Sequence, residues 1–289
     1  MNTSSDLSAR SGLRDYQGKV VLVTGGTRGI GLATGLAYGK LGAHVVLTHK
    51  WGSADEEGLL RMFVEAGAPP PTVVQADAGS AEDTQSVLRG LRASYADVEV
   101  FVSNVAFAQP VASMEDYQKR SLLRSIDYSV WPTVEYTKQI RAIFGRYPRY
   151  VVGLSSSGPD RYTANYDFVA SSKAVLETLC RYLAFRLAPE GVCVNVVRAA
   201  LVRTESLDAT MGPDCVPFME RVDPRMFVTV DEVAHAVLAL TSGWMDAMTG
   251  QVLSVDHGTT FSDNLMRLYA ERDPNDPSTH TKIDMEEGQ

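Results

Sequence analysis

The sequence predicts one α/β domain, a doubly wound parallel sheet of seven strands with helices on both faces. Three observations carry this. Short runs rich in Val and Ile alternate with longer amphipathic stretches along most of the chain, the order that right-handed strand–helix–strand crossovers require. Several of the short runs are apolar almost throughout, as expected where both faces of a sheet are buried. A glycine-rich turn, Thr24-Gly25-Gly26-Thr27-Arg28-Gly29-Ile30-Gly31, also follows the first strand run and opens the first helical one.

In chain order, the expected strands are Val20–Thr24, His44–Thr48, Thr72–Ala76, Val98–Ser103, Arg149–Ser155, Val192–Val197 and Gln251–Val255. Each is short and rich in β-branched residues. The expected helices are Ile30–Leu41, Asp55–Glu65, Ala81–Tyr95, Tyr117–Phe144, Tyr166–Leu187 and Asp231–Leu240, each longer and amphipathic. Breakers fall between elements: Gly67-Ala68-Pro69-Pro70-Pro71 precedes the third strand and Pro189-Glu190-Gly191 the sixth. Residues 1–17 are expected to be a flexible polar segment, 18–262 the domain, and 263–289 a C-terminal tail whose end, from Arg272, is acidic and frayed. Within the domain, 203–227 is an irregular stretch with Pro213, Pro217 and Pro224. Its apolar Met211, Phe218, Met219 and Met226 suit a substrate-binding loop.

Composition removes several classes. The 289 residues carry 27 Lys and Arg against 35 Asp and Glu, a net charge of −8, which argues against nucleic acid or anionic membrane as general partners. No uncharged apolar run reaches the roughly 20 residues of a membrane span. Cys180, Cys193 and Cys215 are odd in number and lack a C-x-x-C pair, so free thiols in a reducing cytoplasm are expected. The five histidines show no ligand spacing, so no metal is expected.

The glycine turn suits a nucleotide. Gly25, Gly29 and Gly31 permit a tight turn and close backbone approach to a pyrophosphate, whose charge a helix N-terminus favours. The second strand ends Thr48-His49-Lys50, and Arg28 lies in the turn. Cations there, with no carboxylate to bond ribose hydroxyls, favour the 2′-phosphate of NADPH over NADH.

The spacing G-x-x-x-G-x-G resembles that of the short-chain dehydrogenase/reductase family, and further matches follow in order. Asp77, with Ala78 after it, stands where the family places an Asp on the adenine amine. Ser103-Asn104-Val105-Ala106 stands where it has Asn-Asn-Ala-Gly. Val194-Asn195-Val196-Val197, followed by Val202 and Thr204, is similar to its segment beside the nicotinamide, and Asp256-His257-Gly258 to its closing Asp-Gly-Gly. The resemblance covers about residues 18–262 and implies a Rossmann-type fold. The cofactor-binding set it implies is Gly25, Thr27, Arg28, Gly29, Ile30, Gly31, His49, Lys50, Asp77, Ala78, Asn104, Val105, Ala106, Lys173, Val202 and Thr204.

Most of the family carries Tyr-x-x-x-Lys. Here the residue four before Lys173 is Val169, and the tyrosine is Tyr166, which gives Tyr-x-x-x-x-x-x-Lys. That spacing and the run Ser155 to Tyr166 resemble the NADPH-dependent enoyl-reductase branch, which saturates acyl thioesters on acyl-carrier protein or CoA. The implied roles are a hydrogen-bond donor for Tyr166 and a ribose-holding cation for Lys173. Ser156 is a candidate orienting hydroxyl and Tyr162 a second phenol. At roughly 5 Å and an effective dielectric near 20, Lys173 is expected to draw the phenol down by around two pKa units.

Departures from the family pattern accompany the match. Val105 adds bulk beside the cofactor, Asp127 replaces an Asn of the long helix, Arg198-Ala199-Ala200 replaces a glycine-containing turn, and His257 replaces a Gly. The competing readings are reduction of a polyketide or other lipophilic ketone, and cofactor binding without turnover. An acyl-carrier-protein partner implies a basic patch at the entrance, with Arg141, Arg146, Arg149, Arg203 and Arg221 as candidates. The resemblance also implies a homotetramer.

Overall fold

The structure, a computed structural model, describes residues 15–50, 54–205, 207, 212 and 214–271. Its strands are β1 (Val20–Thr24), β2 (His44–His49), β3 (Thr72–Gln75), β4 (Val100–Ser103), β5 (Tyr150–Ser156), β6 (Cys193–Ala199), β7 (Leu201–Val202), β8 (Phe227–Val228) and β9 (Val252–Val255). The helices are α1 (Gly29–Gly39), α2 (Glu56–Glu65), α3 (Ala81–Arg92), α4 (Lys119–Ser129), α5 (Trp131–Phe144), α6 (Asp167–Leu187), α7 (Cys215–Val222), α8 (Val230–Thr241) and α9 (Asn264–Glu271).

Seven strands form one parallel sheet in the order β3-β2-β1-β4-β5-β6-β9. This is the expected Rossmann-type domain. The order reverses between β1 and β4, and ligands of such sheets bind outside the carboxyl ends of the strands at that point. Alternate strand residues feed two cores. Val21, Val23, Val45, Leu47 and Val102 pack in one with Tyr38, Phe63 and Val237. Val20, Leu22, Val46 and Phe101 pack in the other with Leu88, Tyr136, Ile140 and Leu176. Burial on both faces is why these strands read as unbroken apolar runs.

The structure corrects the sequence in four places. The single helix expected over Tyr117–Phe144 is two, because Val130 leaves the helical region with φ −124° and ψ −57°. Pro132 is the cause: it has no N–H to donate and its ring clashes with the carbonyl four residues back. The break seats Ser129 Oγ to accept from the Phe107 amide at 3.0 Å, and Thr133 Oγ1 to donate to Ser103 Oγ at 2.8 Å. The 203–227 stretch is not wholly irregular, since it contains α7, and β7 and β8 pair as a small parallel ribbon at its two ends. Met211 lies outside the described residues. The expected 263–289 tail begins with α9, and its acidic end lies outside the described residues. At the N-terminus the domain begins before residue 18: Tyr16 is buried, and its hydroxyl donates to Thr241 O at 2.5 Å.

Candidate active site

The loop between β1 and α1 is built around space that only glycine leaves. Gly25 and Gly29 have φ of 62° and 55°, in the left-handed region that L side chains avoid. A Cβ on Gly31 would lie 2.4 Å from Gly25 O and 2.7 Å from Asn104 Nδ2. Asn104 braces the turn from β4: its Nδ2 donates to Thr24 O and Gly25 O, both at 3.0 Å. No side chain caps the N-terminus of α1, so its first-turn N–H groups are directed out of the loop. The tight cradle and the open donors fit a dinucleotide pyrophosphate. Val105 is accommodated because Gly25 lacks a side chain, since a Cβ there would lie 3.0 Å from Val105 Cγ2. Thr204 lies across the other side of the loop, where a Cβ on Gly29 would be 3.5 Å from Thr204 Cγ2.

Gly25, His49, Lys50, Asp77, Ala78, Val105 and Ala106 line one small cavity of about 50 Å³, joined by Thr48, Phe107 and Tyr128. Lys50 Nζ pairs with Asp77 Oδ2 at 2.6 Å and also donates to the Tyr128 hydroxyl. Tyr128 in turn donates to Asp77 Oδ2 at 3.1 Å. Burial pushes the Asp77 carboxyl up, but Lys50, the Gly79 N–H and Tyr128 outweigh it and hold it below its ordinary value. The hydrogen bond that Lys50 donates to Asp77, with the one it donates to Tyr128, raises its own pKa. Arg28 pairs with Glu205 at 2.8 Å, both largely exposed. Phe107, Arg124 and Tyr128 were not among the sequence candidates. They meet only because α4 packs beside the loop after β4, with Arg124 4.6 Å from the Phe107 ring centroid.

At the end of β5 the chain makes a short 3₁₀ turn (Gly158–Asp160) and then enters α6 through Asn165 and Tyr166. Asn165 takes φ 62°, a conformation that Asn tolerates better than most residues. Gly158 lies under the phenol ring, where a Cβ would stand 3.0 Å from Tyr166 Cδ1 and 2.9 Å from Ala170 Cβ. Tyr166 is half-buried. Burial pushes its phenol above 10, and the neighbouring Ser156 hydroxyl pulls it part of the way back. The two hydroxyls are close enough to interact, yet Ser156 Oγ is buried without a hydrogen bond of ordinary length.

Lys173 is 4 % exposed, and its Nζ donates to Leu154 O at 2.7 Å. Burial lowers its pKa to about 8, although Cys180 and Glu177 pull the other way. The expected depression of the phenol by Lys173 does not occur. The phenol shifts upward because loss of solvent outweighs everything else around it. Val169, the residue at the usual tyrosine spacing, is 2 % exposed in the core.

Other sequence candidates lie elsewhere. Tyr162 is 86 % exposed and is not gathered with Tyr166 and Ser156. Asp127 is exposed on α4. Three arginines of the expected basic patch sit at the wrong end of the sheet, against groups near the start of β4 and β5. Arg141 bonds Gly145 O, Arg146 pairs with Asp97 at 2.9 Å, and Arg149 with Asp246 at 2.7 Å. Arg203 pairs with Glu220 at 2.8 Å, leaving Arg221 as the exposed candidate without a described partner. Among the described residues no three His, Cys, Asp or Glu side chains cluster as metal ligands. No described helix is long and apolar enough to cross a membrane.

A glycine cradle at the sheet's switch point, with a tyrosine and a buried lysine on the helix after β5, defines an oxidoreductase fold and site, and the chain belongs to the short-chain dehydrogenase/reductase family. Residues 25–260 match the family model described as enoyl-(acyl carrier protein) reductase. The chain is 30% identical over 244 residues to 1-cyclohexenylcarbonyl-CoA reductase of Streptomyces collinus, covering 83% of this chain and 86% of that one. It is equally 30% identical over 247 residues to L-xylulose reductase of Homo sapiens, covering 83% and 96%. In fold it matches a solved variant of actinorhodin polyketide ketoreductase with NADPH, at a TM-score of 0.76 and 23% identity, covering 85% of this chain and 98% of that one. The protein is therefore an oxidoreductase of this family.

Proposed function

We propose that this protein is an NADPH-dependent reductase that adds hydride to the β-carbon of an α,β-unsaturated acyl thioester carried on CoA or acyl-carrier protein. The carrying observation is the placement of Tyr166 and Lys173 about the entry to α6: Tyr166 stands seven positions before Lys173, and Val169, at the usual tyrosine spacing, is in the core. A bound nicotinamide dinucleotide supplies the hydride. The β1–α1 loop would hold its pyrophosphate, Asp77 its adenine, Lys173 its ribose, and Val202 with Thr204 the nicotinamide side.

The chain's own chemistry follows from the phenol. Burial shifts Tyr166 toward its protonated form, so it acts as a donor rather than a base. A phenol bonded to the thioester oxygen stabilises the charge that develops there as the β-carbon is reduced, more in the transition state than in the substrate. The buried Ser156 hydroxyl beside the phenol offers a second contact to orient the same oxygen. Removing the phenol would cost on the order of 3 kcal/mol, roughly 10² to 10³ in kcat.

Three features support the finer assignments. Lys50 and Arg28 put positive charge around the end of β2, and a 2′-phosphate would compete with Asp77 and Glu205 for them. The half-buried Met219 and Met226 and the exposed Phe218 suit a cover for an acyl chain. Exposed Leu123, Trp131, Val175, Tyr182 and Phe185 on α4, α5 and α6 suit a homotetramer.

A second reading, ketone reduction, is favoured by the nearness of Ser156 to Tyr166, since one ketone oxygen could accept from both. NADPH and NADH oxidation with crotonyl-CoA and with acetoacetyl-CoA, alongside Tyr166→Phe, tests both readings. Turnover of the enoyl thioester alone, lost in the variant, supports the proposal. Turnover of the ketone alone replaces it with the second reading. Tight NADPH binding with no turnover of these or longer acyl and polyketide-like substrates would indicate a cofactor-binding protein without catalysis.

A further inference from the structure

Arg198 is a charged residue in the heart of the domain, where the family resemblance leads to a small turn. It lies in β6, in register with Ser155 of β5, and is 9 % exposed. Both edges of its guanidinium are used. Nε and Nη2 grip the Glu177 carboxylate at 3.0 and 2.7 Å, the two-pronged geometry that suits arginine best. Ser155 Oγ donates to the same carboxylate at 2.7 Å. On the other edge, Nη1 pairs with Asp160 in the turn after β5. Burial raises the Glu177 carboxyl, against the pull of Ser155, Arg181 and Lys173, and lowers the Arg198 guanidinium, against that of Asp256.

This knot joins the two halves of the active site. Asp160 belongs to the loop that leaves Ser156 and ends at Tyr166, while Glu177 lies one helical turn beyond Lys173 on the same face of α6. Lys173 is itself bonded to Leu154 O, beside Ser155. The loop itself contains Gly158 pressed under the phenol and Asn165 in a left-handed conformation. Stability alone is a poor account of the knot, because burying an ion pair costs desolvation that its attraction often fails to exceed.

We propose that Arg198 is a positioning residue. Through Asp160 and Glu177 it ties the loop bearing Ser156 and Tyr166 to the turn of α6 bearing Lys173, and so sets the phenol's place relative to the lysine. This rests on the reading of Tyr166 and Lys173 as the working pair.

Asp160→Asn tests it, because it weakens the loop arm and leaves Arg198 on Glu177. Asp160 is 52 % exposed on its side chain, so the fold tolerates the change, and Asp160→Glu restores the charge. Two measurements are made on each form: amide hydrogen exchange of residues 157–166 against 174–187, and steady-state kinetics with whichever of crotonyl-CoA and acetoacetyl-CoA the wild type reduces. The expected result for the Asn variant is roughly tenfold faster exchange confined to 157–166 and roughly tenfold lower kcat, since small misplacements of reacting groups are costly. KM for NADPH should stay within about twofold, and the Glu variant should recover most of kcat. Unchanged loop exchange overturns the proposal, as does a loosened loop with kcat intact. A parallel loss of melting temperature, cofactor affinity and kcat overturns it in favour of a general structural role. If the wild type reduces neither these compounds nor longer acyl and polyketide-like substrates, the functional reading fails and loop exchange alone decides whether Arg198 holds the loop.

Discussion

Lys173→Met should make the protein more stable at neutral pH while impairing it as a reductase. Lys173 titrates near 8 in the folded chain instead of 10.5, because its ammonium is buried. A depression of that size corresponds to about 3 kcal/mol. Below pH 8 both folded and unfolded chains carry the proton, and the folded state bears the cost of the buried charge. Between pH 8 and 10.5 the unfolded chain still binds a proton that the folded chain has released, so wild-type stability rises with pH. Above 10.5 neither binds it and the penalty is gone. Methionine fills a similar volume without charge and forfeits the hydrogen bond to Leu154 O, worth about 1 kcal/mol. The variant should therefore be about 2 kcal/mol more stable at pH 7, a rise in Tm of about 5 °C for a domain of this size. That advantage should shrink steadily as pH rises through 8 to 10. Urea unfolding of both proteins at pH 7 and pH 9.5 measures it. A variant less stable at pH 7, with a gap that does not change with pH, would refute the reasoning and show that the surroundings compensate the ammonium in full. The same titration sets an activity limit: if the charged lysine is the working form, kcat/KM declines above about pH 8.

Two further predictions concern the cradle and the phenol. Lys50→Ala should raise KM for NADPH by about tenfold and leave KM for NADH within about twofold, because only the former offers a 2′-phosphate to the ammonium; equal effects on both would remove Lys50 from cofactor choice. Gly158→Ala would place its Cβ 2.9 Å from Ala170 Cβ and 3.0 Å from Tyr166 Cδ1, forcing the ring to shift. Its kcat should fall roughly tenfold or more with cofactor binding retained, and an unaltered kcat would show that the ring's position is not critical.

Much of the fold was legible in the sequence because burial on both sheet faces writes itself into strand composition. The Val-Val-Leu-Val-Thr run of β1 and the glycine turn after it needed no tertiary information. The helix break at Val130 was legible too, since Pro132 is in the sequence; the amphipathic pattern continues across it and masked the signal. By contrast, nothing local marks Tyr128 as a partner of Lys50 and Asp77. Its contacts join residues 51 to 78 positions apart. Arg203 and Arg149 read alike as surface cations, yet one lies beside β8 and the other at the opposite end of β5, a difference set by strand direction alone.

By itself the sequence determined the family, the glycine turn after β1 and the spacing of Tyr166 and Lys173. These depend on short-range requirements: glycine where a side chain will not fit, and helical spacing between neighbours on α6. Only the tertiary structure decided the electrostatics of the pair. Loss of solvent is a property of everything packed around a group rather than of its neighbours in sequence. It moved the phenol upward, where sequence reasoning had the lysine pulling it down, and tertiary packing gathered Ser155, Glu177 and Arg198 into a buried knot with Asp160 at its exposed edge.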